Sequence, residues 1–144
     1  MRALFDVNVL IALNDLQHVH HGVAADWFDA HGDAGWATCP LTQNGLLRIM
    51  SQPGYPQPET VGHLLEQLRG ALTASYHEFW PDDVSLTDAT LFRTDRIHGH
   101  RQLTDLYLLG LAVRHGGRLI TFDTRIRLNT VVGAGPGNLV TLPS

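Results

Sequence analysis

Apolar residues come in short bursts separated by polar turns, and the spacing inside each burst predicts what it forms. Arg2 to Phe5 is a short apolar strand running into Asp6, after which Val9, Leu10, Ala12 and Leu13 fall at helical spacing. A His-rich turn, Gln17 to His21, leads to a helix from about Gly22 to His31, with Ala24, Trp27 and Phe28 inward and Gly32 and Gly35 closing it. Gly35 to Cys39 reads as a second buried strand. Pro40-Leu41-Thr42 then turns into a helix carrying Leu46, Leu47, Ile49 and Met50, with Thr42 as its N-cap.

Ser51 to Pro58 holds three prolines and a glycine and reads as a loop. Val61, Leu64, Leu65, Leu68 and Leu72 predict a helix from Glu59 to Thr73, and Tyr76 to Trp80 a third strand stopped by Pro81. A short helix is expected from Thr87. Ile97 to Gln102 is a polar loop with two histidines, and loops of this kind often carry function. The clearest helix, Leu103 to His115, ends at Gly116-Gly117; Arg118 to Phe122 is a fourth strand, followed at once by Asp123. A glycine-rich segment, Gly133 to Gly137, precedes a fifth strand, Leu139 to Leu142.

Strands alternating with helices predict an α/β domain on a mainly parallel sheet of about five strands, since parallel neighbours need crossover connections. Such sheets bind ligands beyond the carboxyl ends of their strands. Asp6 and Asp123 fall at that kind of position.

Composition narrows the picture. A chain of 144 residues, 44% apolar and 17% charged, is sized and balanced for one folded domain. Asp6 and Asn8 interrupt the apolar N-terminus, so it reads as a strand rather than a leader, and no apolar run approaches the ~20 residues of a membrane-spanning helix. Cys39 is the only cysteine, which excludes an intrachain disulfide and fits a soluble protein of a reducing cytoplasm. The formal charge of −4 argues against a general basic surface for nucleic acid. A nuclease escapes that objection where bound cations invert the local charge and a few arginines cluster nearby. All ten basic residues are Arg, the better fork for phosphate.

The candidate chemistry lies in three acids. Asp6 ends an apolar strand, Asp105 stands in the first turn of a strongly apolar helix, and Asp123 follows another strand. Each has an ordinary structural reading: Asp6 as a helix cap, Asp105 as a favourable charge at a helix N-terminus, Asp123 as a cap for a turn at Thr124. If they converge, ionised carboxylates about 4 Å apart repel by ~4 kcal/mol per pair at an effective dielectric near 20, and the cluster needs protons or a divalent cation. Oxygen ligands suit Mg²⁺ or Mn²⁺, and the implied chemistry is attack of metal-activated water on a phosphodiester. A receiver domain would want paired acids after its first strand and a Lys; an Asp-x-Asp phosphatase would want an acid where Asn8 stands. Neither pattern is present. His18, His20 and His21 suggest a zinc cluster only superficially, because no Cys pair or second His pair accompanies them.

The strings LFDVNVLIAL, ATCPLTQNGLLRI, FWPDD, GHRQLTDLYLLGLAV and GGRLITFD together resemble the PIN-domain ribonuclease toxins of VapBC toxin–antitoxin systems, along nearly the whole chain. The resemblance implies a single PIN domain over residues 1–144 with a three-layer, doubly wound α/β/α sheet. It also implies Mg²⁺- or Mn²⁺-dependent endoribonuclease activity on tRNA or rRNA, inhibition by a cognate VapB-type antitoxin, and a homodimer. On the matching positions it makes Asp6, Asp105 and Asp123 the catalytic and metal-binding acids. Asn8, Gln43, Thr104 and Thr121 are then candidate supporting residues, with Thr121 equally readable as a plain strand residue, and the loop residues His100, Arg101 and Arg96 are candidates for a substrate phosphate or simply solvated side chains. Where many relatives carry Thr-Glu-Asn-Gly, this chain reads Thr42-Gln43-Asn44-Gly45. Gln43 therefore stands where a carboxylate is usual, which implies one firmly held metal, with Asp83 as a compensating donor. The alternative is a catalytically weakened relative that binds RNA or antitoxin.

Overall fold

A computed structural model describes all residues, Met1–Ser144. Five strands form one sheet: β1 (Ala3–Phe5), β2 (Trp36–Thr38), β3 (His77–Phe79), β4 (Arg118–Thr121) and β5 (Leu139–Thr141). Their order is β3-β2-β1-β4-β5 and every pairing is parallel, so the sheet is wholly rather than mainly parallel. The central strand β1 pairs Ala3 to Phe5 with Arg118 to Ile120 on one side and Ala3 and Leu4 with Trp36 and Ala37 on the other. Strand order reverses around β1, which places the ends of β1 and β4 at the switch point where open α/β sheets bind ligands.

Alternation along the strands builds two cores. Ala3, Phe5 and Ile120 face one layer, where they meet Val9 to Ala12, Ala24, Leu46, Met50 and Leu64. Those partners lie on α1 (Val7–Asn14), α2 (His21–His31), α3 (Pro40–Met50) and α4 (Val61–Ala71). Leu4, Ala37 and Leu119 face the other way, against Leu108, Leu109, Leu111 and Ala112 of α5 (Leu103–Arg114) and the inserted Leu91, Phe92 and Val131. Burial on both faces explains why the central strands are short continuous apolar runs. No helix is long and apolar enough to cross a membrane.

Two glycines set how closely the layers approach. A Cβ on Gly45 of α3 would overlap Val7 of α1, and one on Gly110 of α5 would overlap the Phe92 ring. The first contact fixes α3 against the start of α1, just after Asp6. The second fixes α5, and Asp105 with it, against the inserted Leu91–Phe92 segment.

Local chemistry departs from the sequence expectations in two places. Cys39, not Thr42, is the N-cap of α3; Pro40 opens the helix, and Thr42 sits at its third position, its hydroxyl accepting the Cys39 N–H at 3.1 Å. The helix expected from Thr87 is a run of turns. Asp88 Oδ1 accepts both the Thr90 N–H at 2.9 Å and the Thr90 hydroxyl at 2.6 Å, a local arrangement that competes with helix formation.

Candidate active site

The β1–β4 ladder continues one step past β1, the Asp6 N–H donating to the Ile120 carbonyl at 3.0 Å. That bond carries Asp6 to the end of the sheet, where its side chain is almost fully buried. Asp6 Oδ1 accepts the Asn8 N–H at 3.1 Å and caps α1, while Oδ2 accepts the Thr121 hydroxyl at 2.7 Å. The structural and functional readings of Asp6 are thus compatible: capping fixes one oxygen and leaves the group aimed at β4.

Thr121 links two of the acids. Its hydroxyl donates to Asp6 and its oxygen accepts the Asp123 N–H at 3.0 Å. Asp105, in the first turn of α5, lies beside Asp123, the two lining one cavity. Three residues separated by up to 117 positions therefore gather where β1, β4 and α5 end or begin.

The electrostatics follow from that gathering. Burial pushes the Asp105 carboxyl up to about 7, and the negative charges of Asp6 and Asp123 push in the same direction. Burial also raises Asp6, partly offset by its bonds from Thr121 and Asn8, with the Asp123 charge adding to the rise. Asp123 goes the other way, held below the usual carboxylate range chiefly by Arg125. The Arg125 fork donates from Nε to Oδ1 and from Nη2 to Oδ2, both at 3.0 Å, and its backbone N–H reaches Oδ1 at 2.8 Å. Arg101, Arg125 and Arg127 line a cavity of about 180 Å³ together with Asp105 and Asp123.

Such a site has an acid half and a guanidinium half. The acid half accepts either protons or a hard cation through oxygen, and the guanidinium half suits a phosphate. No group of three or more His, Cys, Asp or Glu side chains is spaced to hold a metal ion as it stands, and both oxygens of Asp123 are turned to Arg125. The donor chemistry fits Mg²⁺ or Mn²⁺: three carboxylates gather and no thiolate joins them.

The sequence model of the PIN domain matches residues 3–130. This chain belongs to the PIN-domain family. Among curated relatives, Ribonuclease VapC44 of Mycobacterium tuberculosis is 49% identical over 142 residues, covering 99% of this chain and 100% of the relative. Ribonuclease VapC39 of the same organism is 44% identical over 127 residues, covering 88% and 91%. The solved structure of VapBC2 from Rickettsia felis, bound to a DNA fragment from its promoter, superposes with a TM-score of 0.65 at 13% identity, covering 99% of each chain. At that identity it supports the fold alone, the three-layer PIN arrangement expected from the sequence.

Within this PIN domain the other residues singled out by sequence separate into groups. Thr121 touches the acids directly, and Asn8 does so through its backbone N–H while its side chain is exposed. Arg101 lines the acid cavity from the short turn His100–Gln102, in which His100 is exposed. Arg96 instead pairs with Asp95 at 3.5 Å. Thr104 lines a neighbouring cavity with Arg48, Asn44 and Asp82, and makes no hydrogen bond to the three acids.

Gln43 also points elsewhere, its amide donating to the Thr38 hydroxyl at 2.9 Å, a hydroxyl that also bonds His77. Asp83 is paired with His115 at 3.2 Å and does not join the acids, so it is no compensating donor in this arrangement. His21 is bonded to the Ala12 carbonyl at 2.7 Å, and His18 accepts the His20 N–H at 3.0 Å. Sequence reasoning missed Arg125 and Arg127. The available signal was TFDTRIR, in which an Asp two residues before an Arg can accept that residue's N–H and fold its side chain back.

Proposed function

We propose that this PIN domain, residues 1–144, is the endoribonuclease toxin of a VapBC module, hydrolysing RNA phosphodiester bonds with the aid of Mg²⁺ or Mn²⁺ at Asp6, Asp105 and Asp123. The observation that carries this reading is the meeting of three carboxylates beside a guanidinium-lined cavity. The names of VapC44 and VapC39, ribonucleases that align with almost all of the chain, support the reaction class. A bound divalent cation would supply activated water and neutralise charge on the phosphorane-like transition state. The chain's own residues do the rest. Asp6 is oriented by Thr121 and the Asn8 N–H, Asp105 gives up its proton before the site takes a cation, and the Arg101 side of the cavity receives the phosphate backbone.

The partners follow from the same relatives. The VapC names of these curated relatives support a VapB-type antitoxin as the partner that restrains the enzyme. Exposed Val61 and Leu65 on α4 offer apolar surface for an antitoxin segment or for the second subunit of a homodimer. A tRNA or rRNA substrate and a cytoplasmic site of action suit such a toxin, and the free thiol of Cys39 suits a reducing compartment.

The second reading, a weakened relative that binds RNA or antitoxin without efficient cleavage, rests on Gln43 being a neutral amide bonded to Thr38. Purified protein incubated with structured RNA and Mn²⁺ separates the two. Cleavage by the wild type, reduced about a hundredfold or more in Asp6→Asn, is expected for the enzyme. Equal cleavage by both proteins points to a different site or a contaminant, and RNA binding without cleavage points to the second reading.

A further inference from the structure

The Arg125 side chain lies three-quarters exposed, yet it covers both oxygens of Asp123, whose own side chain is 21% exposed. A divalent cation ligated by those oxygens would be held close to the guanidinium, and like charges at that range repel. Arg125 has somewhere else to go. It shares its cavity with Arg101 and Arg127, neither of which has an acidic partner within salt-bridge distance.

We propose that Arg125 exchanges partners during the reaction: it occupies Asp123 until a divalent cation takes that carboxylate, and then joins Arg101 and Arg127 in holding a phosphate of the RNA strand. This inference rests on the cation-dependent reading of the acid site and adds the residues that grip the substrate. Departure of the side chain does not disarm Asp123, because the backbone N–H of Arg125 still donates to Oδ1 at 2.8 Å and the Asp123 N–H stays on Thr121. The carboxylate remains aimed while its neutralising charge is replaced. A guanidinium released in this way meets the RNA only after the cation is in place, so substrate grip and metal loading are ordered in time. Planar fork geometry makes Arg, rather than Lys, suited to both partners, since carboxylate and phosphate each present paired oxygens.

The test is Mn²⁺ titration followed by the electron paramagnetic resonance signal of free Mn²⁺, with wild type, Arg125→Gln, Arg125→Lys and Asp123→Asn. Because Arg125 is exposed, its substitutions are expected to fold. Arg125→Gln is expected to bind Mn²⁺ about three- to fivefold more tightly than wild type, with Arg125→Lys between them. At saturating Mn²⁺, KM for RNA is expected to rise about threefold or more in Arg125→Gln, with a smaller change in kcat. Unchanged or weaker Mn²⁺ binding in Arg125→Gln, while Asp123→Asn loses the site, overturns the exchange and leaves the acid site standing. An unchanged KM overturns the phosphate role. Mn²⁺ binding by Asp123→Asn equal to wild type overturns the acid-site reading itself, and the exchange with it.

Discussion

The carboxyl edge of the sheet carries acids at both ends, and they are satisfied in opposite ways. On the β2–β3 side Asp82, whose neighbour Asp83 is paired with His115, stands near the neutral Cys39 thiol and Tyr107 hydroxyl. Burial pushes the Cys39 thiol up to about 11 and raises the Tyr107 phenol, and the Asp82 charge adds to both, so each keeps its proton. On the β1–β4 side three carboxylates face one another with a single guanidinium on Asp123. The first arrangement keeps its acids apart. The second brings three carboxylates together, and that convergence, rather than the mere presence of acids, is what the proposed cation site rests on.

Neutralising an acid at each end should break this comparison most sharply. Asp105→Asn is expected to lower Mn²⁺-dependent RNA cleavage by about a hundredfold or more. Asp82→Asn should keep cleavage within about a factor of two. Similar losses in both would erase the distinction between the ends. Thr121→Val comes next, removing the hydroxyl that connects Asp6 to the Asp123 N–H; cleavage should fall about ten- to a hundredfold, as for other groups that orient metal ligands. Gly110→Ala tests the scaffold, since its methyl would overlap the Phe92 ring and push α5 away from the inserted Leu91–Phe92 segment. Denaturant unfolding should show a loss of ~1–3 kcal/mol.

A pH series sharpens the same contrast with a smaller effect. Asp105 is raised in the folded state, so its contribution to stability is full below its ordinary value and is lost as pH rises through about 7. Metal-free protein should therefore lose thermal stability between about pH 4 and 7 through this group, and Asp105→Asn should flatten that part of the profile. Asp123, depressed by Arg125, works in the opposite sense and only in acid: its contribution is present above the ordinary carboxylate value and lost as pH falls through its folded one. The least effect is expected from Gln43→Glu, whose position faces Thr38, with cleavage staying within about a factor of two. A large gain would instead favour the weakened-relative reading.

Much of the fold was legible because buried parallel strands are short apolar runs, and those around Leu4, Ala37 and Leu119 declare themselves. The acids were legible because Asp6 and Asp105 stand where packing prefers apolar groups. Their convergence was not, since it depends on β1 and β4 pairing across more than a hundred residues. Short-range side-chain chemistry was the other blind spot. Asp88 unmade an expected helix by bonding Thr90, Cys39 displaced Thr42 as a cap, and the turn at Asp123 brought Arg125 onto the acid. Position within a string likewise said nothing of where Gln43 would point, because a helix of given sequence can present that amide to the site or to the neighbouring strand.

Crystals soaked in Mn²⁺ and measured at a wavelength where manganese scatters anomalously test the central claim most directly. The account predicts an anomalous peak bounded by oxygens of Asp6, Asp105 and Asp123, with the Arg125 guanidinium turned away from Asp123. A fully soaked crystal with no peak among these carboxylates, or with its peak elsewhere, would contradict it.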